Sequence, residues 1–374
     1  MRGATVIAGI GHTAYGKLPG STTVGLNVEA CRAALADAGI EKDAVDAVWA
    51  KVPTSKLEFL YGAKVAEALG ISPAAGGVLD LGGASVIAMI SYSVLAIEAG
   101  MCEVALVTSA DNPRSGTRQA YDKSYGPGAE FGWFGIAPGY AMVARRHMLE
   151  FGTTAEQLGA YAVTARRHGA ANPRAQLRKP IGLADYLDSP AVVEPLRRDD
   201  CALVSDGAAA VVVTSAARAR ELGVAAPVPI LGFGQGHTAA DVALRPTLTA
   251  TCAADSARRA FAMAGIGPAA VDVAQLYDCF TITPLMTVED YGFCAKGEGG
   301  PFAESGEIGL GGSLPLNTSG GLLSETGMPG MQMVLEAARQ LRGTSPNQVV
   351  GAGISIASGQ GGVMHTHATL VVGG

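Results

Sequence analysis

The sequence predicts a duplicated α/β protein: two halves of one design, each alternating helices and strands, with a long insertion in the first. Three observations carry this. A segment recurs at a constant offset of 226 residues, 31-CRAALADAGIEKDAVDAVWA-50 matching 257-ARRAFAMAGIGPAAVDVAQL-276. In it, Ala38-Gly39-Ile40 is answered by Ala264-Gly265-Ile266, and Ala44-Val45-Asp46 by Ala270-Val271-Asp272. The halves agree again further on, where Gly82-Gly83 and Gly320-Gly321 each precede an apolar helical pattern and then a strand pattern. Composition is the third: 48% hydrophobic and 16% charged residues, with 51 glycines, suit a large core with closely packed backbone.

Taken in order, the chain opens on a short β-like run ending in Gly. A helix with a Gly stop, a turn and a strand then occupy residues 31–50. The Gly82-Gly83 turn leads into the helical 86-VIAMISYSVLAIEAG-100 and the strand 103-EVALVTSA-110. Residues 111–200 read as a polar, Pro-punctuated insertion around a helical stretch at 139–152, of the sort that covers a substrate. The strand 208-AAAVVVTSA-216 ends the first half, taken as residues 1–240. The second half, 241–374, repeats helix and strand, then Ser319-Gly320-Gly321, a helix over 329–343, a strand over 348–357, the turn 359-GQGG-362 and a strand through 364-MHTHAT-369.

Net charge is −6 with no Lys/Arg cluster, which argues against a nucleic-acid surface. No apolar run reaches the ~20 residues a membrane span needs. The N-terminal run is too short and Gly-rich for a signal peptide. Six cysteines without CxxC spacing predict reduced thiols, a cytoplasmic protein and no metal site.

Chemistry concentrates at 277-YDC-279. Tyr277 reads as an acid/base or as a strand cap, Asp278 as a turn-holding carboxylate, and Cys279 as a buried thiol or a nucleophile. His365 and His367, two apart on an expected strand, share a face and offer a base near neutral pH or a structural pair. Gly-rich turns at Gly82-Gly83-Ala84-Ser85, Ser319-Gly320-Gly321 and Gly361-Gly362 can present backbone N–H groups to an anionic oxygen, or simply pack closely. The aromatics of 131-FGWFGIAPGYAM-142 suit an apolar ligand pocket or a buried contact, and Arg145, Arg146, Arg166 and Arg167 suit a ligand's phosphates or solvated helix faces.

Several stretches resemble the thiolase superfamily over nearly the whole chain, specifically its sterol-carrier-protein thiolase-like branch: 199-DDCALVSDGAAAVVVTS-215, 277-YDCFT-281, 292-GFCAKGEGG-300, 317-NTSGGLLS-324 and 359-GQGG-362. The resemblance implies a thiolase fold, α/β halves stacked in five layers (α-β-α-β-α), a homodimer, and acyl-CoA thioester substrates, with coenzyme A entering only as part of the substrate. The family's nucleophilic Cys falls on Gly83, its first motif His or Asn on Tyr277, and the His of its Gly-His-Pro motif on Gly327; no Cys follows Cys294. Loss of all four disfavours acyl-enzyme chemistry. It is similar instead to a sub-branch of retro-aldol lyases acting on steroid side-chain β-hydroxyacyl-CoAs, which pair with a small OB-fold/zinc-ribbon partner in a heterotetramer. That sub-branch implies Tyr277 as acid/base; its second Tyr is absent here, Gly327 standing in that place. A degenerate acyl-CoA-binding subunit, and an acyltransferase using Ser85 or Cys279, are the alternatives.

Overall fold

The computed structural model describes residues 2–117, 127–239, 241–328 and 330–374. The first half runs β1 (Thr5–His12), α1 (Thr23–Ala38), β2 (Ala47–Lys51), α2 (Tyr61–Leu69), β3 (Ala75–Leu79), α3 (Ser85–Glu98) and β4 (Val104–Asp111). The insertion carries α4 (Ala137–Phe151), α5 (Ala155–Ala171), α6 (Leu183–Leu187) and a ribbon of β5 (Ala191–Val193) with β6 (Leu196–Arg197). Then come β7 (Gly207–Ser215) and α7 (Ala216–Glu221). The second half has β8 (Val228–His237), α8 (Ala253–Ala264), β9 (Val273–Gln275), α9 (Ile282–Asp290) and α10 (Gly299–Glu304). It ends with α11 (Gly321–Ser324), α12 (Met331–Arg342), β10 (Ile354–Gly361) and β11 (Thr366–Gly373).

The repeat is structural as well as textual. α1 ends on Gly39 and α8 on Gly265, both left-handed at φ 66°, where a Cβ would be strained. Each is followed by a single 3-10 turn and a strand. The two aspartates of the repeat do the same work. Asp46 accepts the N–H groups of Glu103 and Val104 at the start of β4, and Asp272 those of Gly353 and Ile354 at the start of β10.

Strands order as β3-β2-β4-β7-β1-β8-β11-β10-β9. Only Val6↔Pro229 and Ile7↔Val228 join β1 to β8, so two half-sheets meet at a narrow seam. α3 and α12 are buried between them: Val86, Ile87, Ile90, Met333 and Val334 pack with Val107 and Val211 of one half-sheet and Ala357 and Leu370 of the other. α1 and α2 cover the outer face of the first half-sheet, and α8 with the insertion helices covers that of the second. This is the five-layer α-β-α-β-α arrangement that the resemblance implies. One boundary moves. β8 pairs with β11 and packs on α8, so the second half begins at the α7–β8 connection rather than at residue 241.

Glycines let helix and sheet touch at backbone distance. A Cβ on Gly234 of β8 would overlap the Ser256 carbonyl oxygen and lie 2.8 Å from the Ala260 nitrogen of α8. Gly234→Val is therefore expected to lower unfolding free energy by ~3 kcal/mol or more, read as an earlier urea midpoint.

Candidate active site

The segment after β9 is pinned before it reaches the site. Asn317 imitates a neighbouring strand, its side chain accepting from Leu276 N–H at 2.7 Å and donating to Leu276 O at 2.8 Å. Tyr277 N–H donates to Ser358 Oγ at 2.9 Å, and Thr283 Oγ1 donates to Tyr277 O at 2.8 Å. These bonds fix the direction of the Tyr277 ring, which lines a cavity of about 800 Å³.

Two glycine turns meet at that wall. A Cβ on Gly82 would stand 2.6 Å from Gly361 Cα, so the Gly82-Gly83 and Gly361-Gly362 turns abut, and all four residues line the cavity. A Cβ on Gly83 would sit 2.5 Å from the Tyr277 phenol oxygen and closer still to its ring. The phenol thus fills the space that a side chain at position 83 would need. Gly327 also lines the cavity, and a Cβ there would overlap the Leu203 carbonyl oxygen. No second Tyr fits at 327 with this backbone.

Asp278 points the other way. Its Oδ1 accepts Leu322 N–H at 2.7 Å, and its carboxyl group fills the space over Gly321. Burial pushes its pKa up to about 7. It holds the turn, as the sequence suggests.

Other expected site residues divide. His365 lines the cavity; its Nδ1 is buried with no hydrogen-bond partner among the described residues. Burial, helped by the Arg245 charge, lowers its pKa, so the ring is neutral at pH 7. His367 does not join it. The expected strand begins only at Thr366, and Met364 turns the chain at φ 60°. His367 therefore lies inside the core, its Nε2 2.8 Å from the Tyr291 hydroxyl.

Two further expectations are corrected, and a third divides between its alternatives. Ser85 is buried, its Oγ donating to Gly82 O at 2.6 Å and accepting Leu81 N–H at 2.7 Å; it shapes the turn and is off the wall. Ser319, Gly320 and Gly321 lie behind the cavity, because Asp278 occupies the face of Gly321 and Gly169 that of Gly320. The arginines are spent elsewhere or exposed: Arg166 pairs with Asp199 at 3.1 Å, Arg146 with Glu150 at 3.0 Å, and Arg145 and Arg167 face solvent.

Cys279 shares the wall with Tyr277, but burial pushes its thiol up to about 12, and Gln360 Nε2 donates to its sulfur at 3.4 Å. A thiol held protonated is a poor nucleophile. With Ser85 removed from the wall, the acyltransferase reading loses both its candidates.

Of the aromatic stretch, Phe131, Trp133 and Tyr140 line the cavity. Tyr140 is locked by a bond to Gly362 O at 2.7 Å and by stacking on Phe280 at 4.4 Å. Sequence reasoning missed Lys51, Asp111, Ser205, Asp241 and Gln360, all on the wall. Lys51 and Asp111 end β2 and β4, and strand ends are where α/β sheets place ligands, a signal that was available.

His367 yields a pH prediction. Its folded pKa is pushed down to about 3 by burial, against an ordinary value near 6.5. Between those values the unfolded chain binds the extra proton, so this contribution is present above pH 6.5 and lost as pH falls toward 3. The full loss is roughly 5 kcal/mol. His367→Gln, which keeps a partner for Tyr291, should flatten the acid side of a urea-midpoint profile between pH 7 and 4.

Residues 234–374 match the family model described as "Thiolase C-terminal domain-like". The chain is 38% identical to the 17-hydroxy-3-oxo-4-pregnene-20-carboxyl-CoA lyase of Mycobacterium tuberculosis, over 94% of this chain and 95% of that one. It is 35% identical to the steroid side-chain-cleaving aldolase of Thermomonospora curvata, over 93% of each. A solved chain of an Ltp2-ChsH2(DUF35) aldolase superposes with a TM-score of 0.89 at 34% identity, covering 100% of this chain and 98% of that one. Among the described residues no helix is long and apolar enough to cross a membrane. With the five-layer fold, the abutting glycine turns and relatives that match nearly end to end, the chain belongs to the thiolase superfamily, in its sterol-carrier-protein thiolase-like branch alongside the steroid side-chain-cleaving aldolases.

Proposed function

We propose that the protein is a carbon–carbon lyase that splits a bulky β-hydroxyacyl-CoA, of the steroid or lipid side-chain class, by retro-aldol elimination without an acyl-enzyme. The observation that carries this is Tyr277 standing in the space of the missing side chain at Gly83, directly over the glycine turns.

The chemistry follows from the wall. A base takes the β-hydroxyl proton, the Cα–Cβ bond breaks, and its electron pair moves into the thioester as an enolate. The β-carbon leaves as a ketone. Proton delivery to Cα completes a shortened acyl-CoA. Tyr277 is the acid/base at the glycine turns, and neutral His365, whose Nδ1 has no partner among the described residues, takes or relays the second proton. Main-chain N–H groups of Gly83 and the Gly361-Gly362 turn hold the enolate oxygen, while Gly82 N–H is given to Asp80 Oδ1 at 3.0 Å; this is a task that survives loss of every family side chain. Apolar walls from Leu322, Phe280, Trp133 and Val363 receive the hydrocarbon.

The solved relative is an aldolase of an Ltp2 chain with a ChsH2(DUF35) protein, which supports a small OB-fold/zinc-ribbon partner here. β3 is an edge strand with alternating exposure, which supports a second copy of this chain pairing along it. The test is direct. The protein, with and without such a partner, is incubated with a tertiary β-hydroxyacyl-CoA. Release of ketone and shortened acyl-CoA in equal amounts is the expected result. Tight binding with no product would support a binding subunit instead, and a trapped acyl-peptide would overturn the non-covalent route.

A further inference from the structure

Ser205 lines the cavity and is only 2% exposed. Its Oγ accepts from Gln176 Nε2 at 2.6 Å and from Gly327 N–H at 3.0 Å. A serine hydroxyl accepts two hydrogen bonds and donates one. Both acceptor places are therefore taken, and only the O–H is left to give. Among the described residues that O–H has no acceptor. It must turn away from both donors, and the cavity is where an acceptor can stand. The Tyr140 hydroxyl on the same wall is different, because it is spent on Gly362 O.

Neither donor to Ser205 can be reversed. The Gly327 amide only donates. Gln176 is fixed at both ends: its Oε1 accepts from Arg114 Nη1 at 3.0 Å, and its Nε2 also donates to Glu325 O at 3.3 Å. A guanidinium cannot accept and a carbonyl cannot donate, so the Gln176 amide has a single orientation. The bonds thus run one way, from the Arg114 guanidinium through Gln176 to Ser205 and into the cavity. Each bond in such a chain polarises the next, and a cation at its head strengthens the last donor. Arg114 itself is exposed and off the cavity wall.

We propose that Ser205 is a further catalytic residue whose hydroxyl donates to the substrate's β-oxygen, with Gln176 and Arg114 as the residues that position and polarise it. The inference rests on the lyase reading and adds a group to the same site. In that reaction the β-oxygen gives up its proton and carries charge until the ketone forms. The main-chain N–H groups serve the enolate oxygen, and Ser205 serves this one. With its lone pairs taken, Ser205 is no base. It keeps its own proton throughout, and the β-hydroxyl proton goes to the base at Tyr277 or His365.

The test follows cleavage of a tertiary β-hydroxyacyl-CoA. Ser205→Ala should lose about 10- to 100-fold in kcat, with KM raised no more than about threefold. Arg114→Met should lose about 3- to 10-fold in kcat with an unchanged thermal melt, since its side chain is exposed. The double variant should be no slower than Ser205→Ala alone, because Arg114 acts through the hydroxyl. Ser205→Cys, close in size and a much weaker donor, serves if the Ala variant fails to fold by circular dichroism. Full turnover without the hydroxyl, no effect of Arg114→Met, or losses that multiply in the double variant overturns the proposal. If wild type cleaves nothing, the lyase reading falls, and calorimetry still judges Ser205. An affinity for the β-hydroxy ester about threefold above that for its β-deoxy analogue, lost in Ser205→Ala, sustains the proposal; equal affinities in wild type overturn it.

Discussion

Tyr277→Phe should remove about 10²- to 10⁴-fold of kcat while leaving the fold intact, because it deletes one oxygen and keeps the ring that fills the space over Gly83. The ring makes most of the packing, and the backbone bonds to Ser358 and Thr283 do not involve the phenol. Thermal melts of the variant should therefore overlay those of wild type within a few degrees. Product release followed by mass spectrometry gives the rate. Turnover undiminished in Tyr277→Phe would move the acid/base role to His365, whose own Asn variant would then show the loss.

Gly83→Ala should be nearly as damaging by a different route. The added methyl would sit within 2.5 Å of the phenol oxygen and closer to the ring carbons, a separation that folded proteins do not tolerate. Either the ring swings out of the site or the turn moves off Gly361. Both outcomes cost activity, by a factor on the order of 100, and stability by ~1–3 kcal/mol. The distinguishing measurement is the double variant with Tyr277→Ala. Emptying the ring's volume should restore most of the lost stability without restoring activity, so the two changes are strongly non-additive. Additive losses would mean that the ring and position 83 do not share one volume.

The fold was legible because its signals are local and repeated. Gly39 and Gly265 each end a helix at the same backbone angle, and Asp46 and Asp272 each tie a strand start, so the 226-residue offset reports one structural unit used twice. The half boundary was misjudged because β8, with a glycine at alternate positions, gives little apolar alternation to read. Of the expected site residues, Tyr277 and the Gly82-Gly83 and Gly361-Gly362 turns lie on one cavity wall, as their spacing to neighbouring motifs is fixed by sequence. The matching of Gly320-Gly321 to Gly82-Gly83 did not extend to the cavity, since a carboxylate three-dimensionally adjacent but 43 residues away, that of Asp278, covers Gly321. His365 and His367 read as a strand pair because an i,i+2 spacing cannot reveal that the strand starts between them. Lys51 was invisible for a related reason: nothing in its neighbours says that its stem is buried while its ammonium reaches a cavity assembled from both halves.

The shared volume of residues 83 and 277 also orders events in descent. A lineage that once carried a larger side chain at 83 could gain the aromatic at 277 only after shrinking the first position, since both cannot be present together. Its intermediate would have held a hole in place of either group, catalytically idle but foldable. Reconstructed intermediates on that path should show glycine at 83 before tyrosine appears at 277, and none should pair a side chain at 83 with the tyrosine.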